Sequence, residues 1–122
     1  MENCLDIQGI RVYQYPVNGM QLKCGQDAID LICAARARDA AWVTVPMEKL
    51  DASFFQLSSG LAGEILQKFV NYGINLAVLG DFSSAVAASK AFRDLLRESN
   101  RGDSVWFLAD FAEMKEQLRT CI

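Results

Sequence analysis

Three charged residues stand at the ends of predicted strands and helices, where they could do chemistry. Asp81 and Asp110 each follow an apolar run that is typical of a buried strand. Open α/β sheets bind ligands at the carboxyl ends of parallel strands, so these carboxylates could act as acid and base or hold a hard cation. Asp is also a common helix N-cap, and this alternative stays open for both. Arg101, within a helix-stop sequence at residues 98–102, either contacts a ligand or partner or belongs to the turn alone.

Histidine is absent, which excludes Ser-His-Asp and Cys-His catalysis and every imidazole metal site. The cysteines are widely spaced and form no CxxC pair, so the sequence predicts neither a metal ion nor a cofactor. They are expected to pack as small hydrophobes, with Cys33 on the same helix stripe as Ile29 and Ile32. The cysteines are Cys4, Cys24, Cys33 and Cys121.

The composition predicts one folded domain over residues 1–122, because 52% of the residues are hydrophobic and 22% are charged. A net charge of -3 gives no electrostatic reason to bind nucleic acid or an anionic membrane. The chain also lacks a signal-peptide pattern and an apolar run of membrane-spanning length. We therefore expect a cytoplasmic protein with neither nucleic acid nor membrane as a partner.

The elements that must position these side chains alternate regularly. Residues 5–15 predict a hairpin that turns at Gln8 and Gly9. Apolar runs at residues 42–45, 76–79 and 105–108 predict parallel neighbouring strands, each followed by an amphipathic helix. The third helix is predicted as one helix, capped by Ser83 or Ser84 and running to about residue 100, whereas residues 48–57 show no clear pattern. The order ββαβαβαβα predicts an α/β fold with a small, mostly parallel sheet and flanking helices.

Two long blocks and their flanks carry a family resemblance. The blocks are SSGLAGEILQKFVNYGINLAVLGDFS at residues 58–83 and SKAFRDLLRESNRG at residues 89–102, with FFQL and VWFLAD beside them. They closely resemble a bacterial family catalogued as domain of unknown function 4180. Membership in that family implies no assigned activity.

A more distant resemblance concerns the start of the second helix. A buried strand, a loop and then Ser-Ser-Gly-Leu is similar to the DSSGLG segment of STAS domains, the anti-sigma-factor antagonist fold. In those proteins a partner kinase phosphorylates a serine of this segment, which makes Ser58 and Ser59 the matching candidates. Leu57 stands where STAS antagonists have Asp. The resemblance implies a STAS-like sheet.

The same helix start contains Gly60 and Gly63, which leave open two interpretations. Free N–H groups and the helix dipole there would form a latent anion site, or the glycines would allow the helix to pack closely on the sheet.

Two functions are compatible with this sequence. The favoured one is a non-catalytic regulatory or protein-interaction domain that binds an unknown protein partner. An exposed edge strand in the N-terminal hairpin would also make a homodimer possible. The alternative is a small-ligand-binding protein or enzyme that uses Asp81 and Asp110 at the carboxyl ends of the strands.

Overall fold

A computed structural model describes residues 4–16 and 19–121, with side chains described as far as residue 119. These residues form five strands and five α-helices, and three short 3-10 helices lie between β3 and α2. The elements are β1 Cys4–Ile7, β2 Ile10–Gln14, α1 Gly25–Arg36, β3 Trp42–Pro46, the 3-10 helices Met47–Lys49, Ala52–Phe55 and Leu57–Ser59, α2 Leu61–Tyr72, β4 Asn75–Leu79, α3 Ser83–Ala88, α4 Lys90–Arg101, β5 Val105–Leu108 and α5 Phe111–Cys121. Among these helices, none is both long and apolar enough to cross a membrane.

The strands form one sheet in the order β1-β2-β3-β4-β5. β1 and β2 are antiparallel, and β2, β3, β4 and β5 are parallel neighbours. Gln8 and Gly9 close the hairpin with φ values of 56° and 83°, which a two-residue type I′ turn requires. The predicted α/β class, the hairpin and the parallel trio of strands are therefore confirmed.

The two faces of the sheet are covered differently. Strand order follows chain order, so right-handed crossovers bring α1, α2, α3 and α4 to one face, and all four contribute to its core. On the opposite face, Met114 and Leu118 of α5 pack with Trp42 and Trp106, whose ring centroids are 4.3 Å apart. The connections after β4 and β5 thus lead to opposite faces.

The predicted third helix is two helices, because Ser89 interrupts it. Ser89 has extended backbone, with φ of -143° and ψ of 115°, and its hydroxyl accepts a hydrogen bond from the Phe92 N–H. This is the geometry of an N-cap, so α4 starts anew at Lys90. The prediction that Ser83 or Ser84 caps a single long helix was wrong, since the α3 N-cap residue is Phe82.

Residues 48–57 contribute to the core although their sequence shows no periodicity. Phe54 is fully buried, and its ring joins an aromatic cluster above the sheet. Ring centroids in this cluster lie between 5.3 and 6.4 Å apart. Its members are Phe54, Phe55, Phe82, Phe92 and Phe107.

The buried stripe of α1 consists of Ala28, Leu31, Ile32 and Ala35. These positions follow the i, i+3, i+4, i+7 spacing of a helix face. Cys33 lies beside that stripe and is exposed, so the expectation that it packs as a buried hydrophobe was wrong.

Candidate functional site

The carboxyl ends of β4 and β5 form the part of the sheet edge where candidate residues gather. The chain leaves β4 toward α3 on one face and leaves β5 toward α5 on the other. In open α/β sheets, neighbouring strands whose connections diverge in this way are where ligands bind. Asp81 and Asp110 are the residues that flank this point.

Asp81 is exposed and acts as a local cap. Its Oδ1 accepts hydrogen bonds from the Ser83 N–H at 3.0 Å and from the Ser83 hydroxyl at 2.7 Å. Both bonds favour the charged carboxylate, and they lower the pKa of Asp81 below its usual value. Asp81 is therefore ionised at neutral pH and holds no proton to donate.

Asp110 takes part in a reciprocal cap at the start of α5. Its Oδ1 accepts from the Glu113 N–H at 2.9 Å, and Glu113 Oε1 accepts from the Ala109 N–H at 2.7 Å. This arrangement resembles the capping box, in which two side chains satisfy backbone donors at a helix start. The carboxylate is exposed and turned toward its own helix.

Ser58 and Ser59 are both exposed in the turn before α2. The Ser59 hydroxyl donates to the Ser53 carbonyl at 2.7 Å and lies 3.2 Å from the Leu61 N–H, from which it accepts. Within the described residues the Ser58 hydroxyl makes no hydrogen bond, so it faces solvent. The two serines therefore differ in how readily they could be modified.

Gly60 and Gly63 do not serve close packing. Gly60 has a φ of 84°, which explains a glycine there, and a Cβ built on either residue would meet nothing within 4 Å. The interpretation that these glycines let α2 approach the sheet was therefore wrong. The nearby Glu64 carboxylate accepts from the Gly25 N–H at 2.6 Å and so caps α1 from a neighbouring helix.

Arg101 lies at the amino ends of the strands, on the side of the sheet opposite the carboxyl edge. It ends α4 and precedes β5, so it sits near the amino end of the strand whose carboxyl end is followed by Asp110. Arg101 is exposed and is not brought to Asp81 or Asp110. By contrast, the turn that holds Ser58 lies between the carboxyl end of β3 and the start of α2, and the preceding Phe55 packs near Phe82, which follows Asp81, with ring centroids 6.4 Å apart. Four of the five candidate residues thus share the carboxyl edge.

A groove at the carboxyl end of β2 was missed by the sequence reasoning. It has a cavity volume of about 330 Å³. Tyr13 and Tyr15 of the β2 end form one wall, and Asp27 and Asp30 of α1 form another. The sequence signal was the alternation of the two tyrosines, which places both on one face of the strand, opposite the acidic first turns of α1.

Tyr15 is held firmly at the mouth of this groove. Its hydroxyl donates to the Met20 carbonyl at 2.6 Å. Burial raises the pKa of Tyr15, and the negative charge of Asp27 and the neighbouring Tyr13 raise it further. Tyr15 therefore stays protonated at neutral pH and can offer an aromatic wall and an immobile hydroxyl.

No group of three or more Cys, Asp or Glu side chains in the described ranges is arranged to hold a metal ion.

The fold defines a small α/β domain with a mostly parallel sheet, whose carboxyl edge is lined by helix caps. The chain belongs to the family described as Domain of unknown function (DUF4180), whose model matches residues 7–118. The family resemblance seen in the sequence is thereby confirmed. Neither a curated protein nor a solved structure matches the chain significantly.

Proposed function

We propose that this domain is a non-catalytic regulatory or protein-interaction module of the bacterial cytoplasm with a STAS-like sheet. We propose further that it binds a protein partner through the carboxyl-edge surface, defined as Ser58, Ser59, Asp81 and Asp110. The exposure of all four residues and their position along one edge support this proposal. Arg101 is a separate contact candidate at the amino ends of the strands.

The main support for the proposal is that the hydroxyl and carboxylate oxygens of these residues serve as caps. Ser59, Asp81 and Asp110 all accept backbone N–H groups at helix or turn starts. A catalytic carboxylate at neutral pH normally has an environment that shifts its pKa toward 7, whereas the pKa of Asp81 is lowered. These side chains are better suited to shaping and charging a surface than to moving protons.

Phosphorylation would regulate such a surface most readily at Ser58. Its hydroxyl is exposed and makes no hydrogen bond to the described residues, whereas modification of Ser59 would break its bond to Ser53. A phosphoryl group adds about -1.5 to -2 charge beside the N-terminus of α2, where the helix dipole favours an anion. Partner binding would then change while the fold is retained.

The proposal is tested by comparing four purified variants, Ser58→Ala, Ser58→Asp, Ser59→Ala and Ser59→Asp, in quantitative capture of partners from the native host. We expect Ser58→Asp to change the captured set and Ser58→Ala to retain it, with circular dichroism unchanged in both. Ser59→Asp should also lower thermal stability, because it replaces a hydroxyl that bridges two backbone groups. Identical partner sets across all four folded variants would refute the regulatory role of both serines.

The groove at β2 favours a second candidate function, the binding of a small cationic ligand. Asp27 and Asp30 supply negative charge, and the ring of Tyr15 supplies a face that attracts cations, whereas the Tyr13 ring already has the Arg38 guanidinium 5.1 Å from its centroid. The suitable ligand class is a compact primary or quaternary amine. Thermal-shift measurements with matched amines and carboxylic acids test this idea, and Asp30→Asn should abolish any amine-specific stabilisation. Equal shifts for both ligand classes would contradict it.

A further inference from the structure

The backbone of β2 shows which groups of the N-terminal hairpin face outward. The Ala41 N–H donates to the Arg11 carbonyl, and the Tyr15 N–H donates to the Thr44 carbonyl, both at 2.9 Å. Residues 11, 13 and 15 therefore turn their backbone groups toward β3. Because backbone direction alternates along a strand, residues 10, 12 and 14 turn theirs toward β1.

The pairing of β1 with β2 then fixes the outer edge of β1. Leu5 pairs with Val12, and Ile7 pairs with Ile10, so these two residues of β1 use their backbone groups within the hairpin. The N–H and C=O groups of Cys4 and Asp6 consequently point away from the sheet. In the described part of the chain, no strand pairs with this edge.

At β5, the other outer strand of the sheet, the Asn100 side chain already bonds backbone groups that face outward. The Ser104 carbonyl accepts from the Leu76 N–H of β4, and the Leu108 carbonyl accepts from the Gly80 N–H just after β4, so Phe107 turns its backbone groups outward. Asn100 satisfies both of them: its Nδ2 donates to the Phe107 carbonyl at 3.1 Å, and its Oδ1 accepts from the Phe107 N–H at 2.7 Å. The Asn100 side chain thus blocks strand addition at Phe107. The contrast singles out β1 as the pairing edge.

We propose that two copies of this chain pair β1 against β1 in antiparallel fashion, around a two-fold axis at Leu5. In this register Leu5 lies opposite Leu5 of the second copy, and Cys4 lies opposite Asp6. The outward backbone groups of Cys4 and Asp6 form two hydrogen-bonded pairs, with about four hydrogen bonds in all. The result is one continuous ten-stranded sheet across the dimer.

Charge and fit select this register over its neighbours. Shifting the register by two residues in one direction places Asp6 opposite Asp6 of the second copy, and like charges directly opposite are destabilising. Shifting it the other way places Cys4 opposite Cys4 and leaves Leu5 outside the pair. The central register instead covers Leu5, whose exposed fraction is 37%. A cavity of about 380 Å³ along the same edge, lined by Leu5, Asp6 and Arg11 among others, gives room for side chains of the second copy.

Dimerisation through β1 is independent of the proposed partner binding, because β1 and the carboxyl-edge surface are separate parts of the molecule. A contact limited to one short strand from each copy is smaller than the roughly 1,000 Å² of a stable interface, so the dimer should be weak and concentration-dependent. It would present two carboxyl-edge surfaces to a partner, which increases the avidity of binding.

Sedimentation of the purified chain from about 10 µM to about 1 mM, a range suited to weak association, tests the dimer. We expect the wild-type chain to shift from monomer to dimer across this range. Asp6→Pro removes an outward N–H that β2 does not use, so it should fold and stay monomeric throughout. Asp6→Ala removes the side chain and its 3.5 Å contact with Arg11 but keeps the N–H, so it should dimerise within threefold of wild type.

Amide hydrogen exchange supplies a second, residue-specific readout. Exchange at Asp6 should slow at least fivefold between the lowest and highest concentrations, whereas exchange at Leu5, already bonded to β2, should not change. If Asp6→Pro fails to fold, Leu5→Lys serves in its place, because it sets two like charges face to face at the axis. A monomeric wild type at 1 mM, a dimer unaffected by either edge variant, or a rapid Cys4–Cys4 disulfide between copies would overturn the proposal.

Discussion

Replacing Asn100 by Ala should destabilise the domain more than any other single change to an exposed or half-buried polar residue of α4. Its amide forms a two-point contact with the backbone of Phe107, with bonds of 2.7 and 3.1 Å across the open side of β5. Phe107 itself is buried, with 3% of its surface exposed. Truncation therefore leaves an N–H and a C=O without partners beside the aromatic cluster.

The magnitude follows from the two lost bonds. A hydrogen bond contributes about 1 kcal/mol net, and a buried group left unpaired costs about 1–3 kcal/mol, less where water can reach it. We expect Asn100→Ala to lower the free energy of unfolding by about 2 kcal/mol, which corresponds to a fall in Tm of roughly 6–10 °C for a chain of this size. Urea titration and thermal melts followed by circular dichroism measure both quantities.

Two further variants isolate the cause. Asn71→Ala is the matched control, because the Asn71 side chain only accepts from Gln67 on an exposed helix face; it should cost less than about 0.5 kcal/mol. Asn100→Asp keeps the acceptor for the Phe107 N–H but sets a carboxylate against the Phe107 carbonyl, which raises the pKa of the new side chain in the folded state. Its penalty should be fully present at pH 7, shrink as the pH falls through the raised folded-state pKa, and be gone below about 3.9, where the carboxyl is protonated in both states. Equal costs for Asn100→Ala and Asn71→Ala would refute the reasoning.

The remaining predictions concern local stability, each measured by urea titration. Glu64→Ala should cost about 1 kcal/mol, because α1 has no side-chain cap of its own and Glu64 supplies one; no loss would contradict that role. Gly63→Ala should stabilise by about 0.5 kcal/mol in the exposed first turn of α2, whereas Gly73→Ala should cost about 1 kcal/mol because its φ is 71°; effects of the same sign would contradict this. Hydrogen bonds from Ser53 lower the pKa of Asp51, so Asp51 stabilises the fold above its unfolded pKa and loses this effect as the pH falls. The stability difference between wild type and Asp51→Ala should accordingly shrink between pH 6 and pH 3, and a constant difference would exclude the mechanism.

The sheet could be predicted because its signals are local. Gln8 and Gly9 between alternating residues specify a two-residue turn, and short apolar runs that alternate with helices specify parallel strands. The break at Ser89 was missed, since the apolar residues on both sides keep helical spacing and the cap depends on one hydroxyl. Phe54 was missed for the opposite reason: its segment has no periodicity, and its burial depends on aromatic partners from distant parts of the chain.

The candidate site was predicted in part, because some of its signals are local, like those of the sheet. Strand ends correctly placed Asp81 and Asp110 at one edge, because each residue directly follows its strand. Whether their oxygens are free or bonded depends on local backbone geometry that sequence spacing does not specify. The groove at Tyr15 depends on how the connector before α1 returns over β2, which is tertiary information.

Site-specific photo-crosslinking in the native host tests the central claim, that the carboxyl-edge surface binds a protein partner, most directly. A photoreactive residue is placed at position 58 in one strain and at position 101, on the opposite edge, in another. Both positions are exposed, so both probes are accessible to solvent. The account predicts a discrete adduct from position 58 that is at least tenfold stronger than any adduct from position 101. Adducts of equal yield from both positions, or an adduct from position 101 alone, would contradict it.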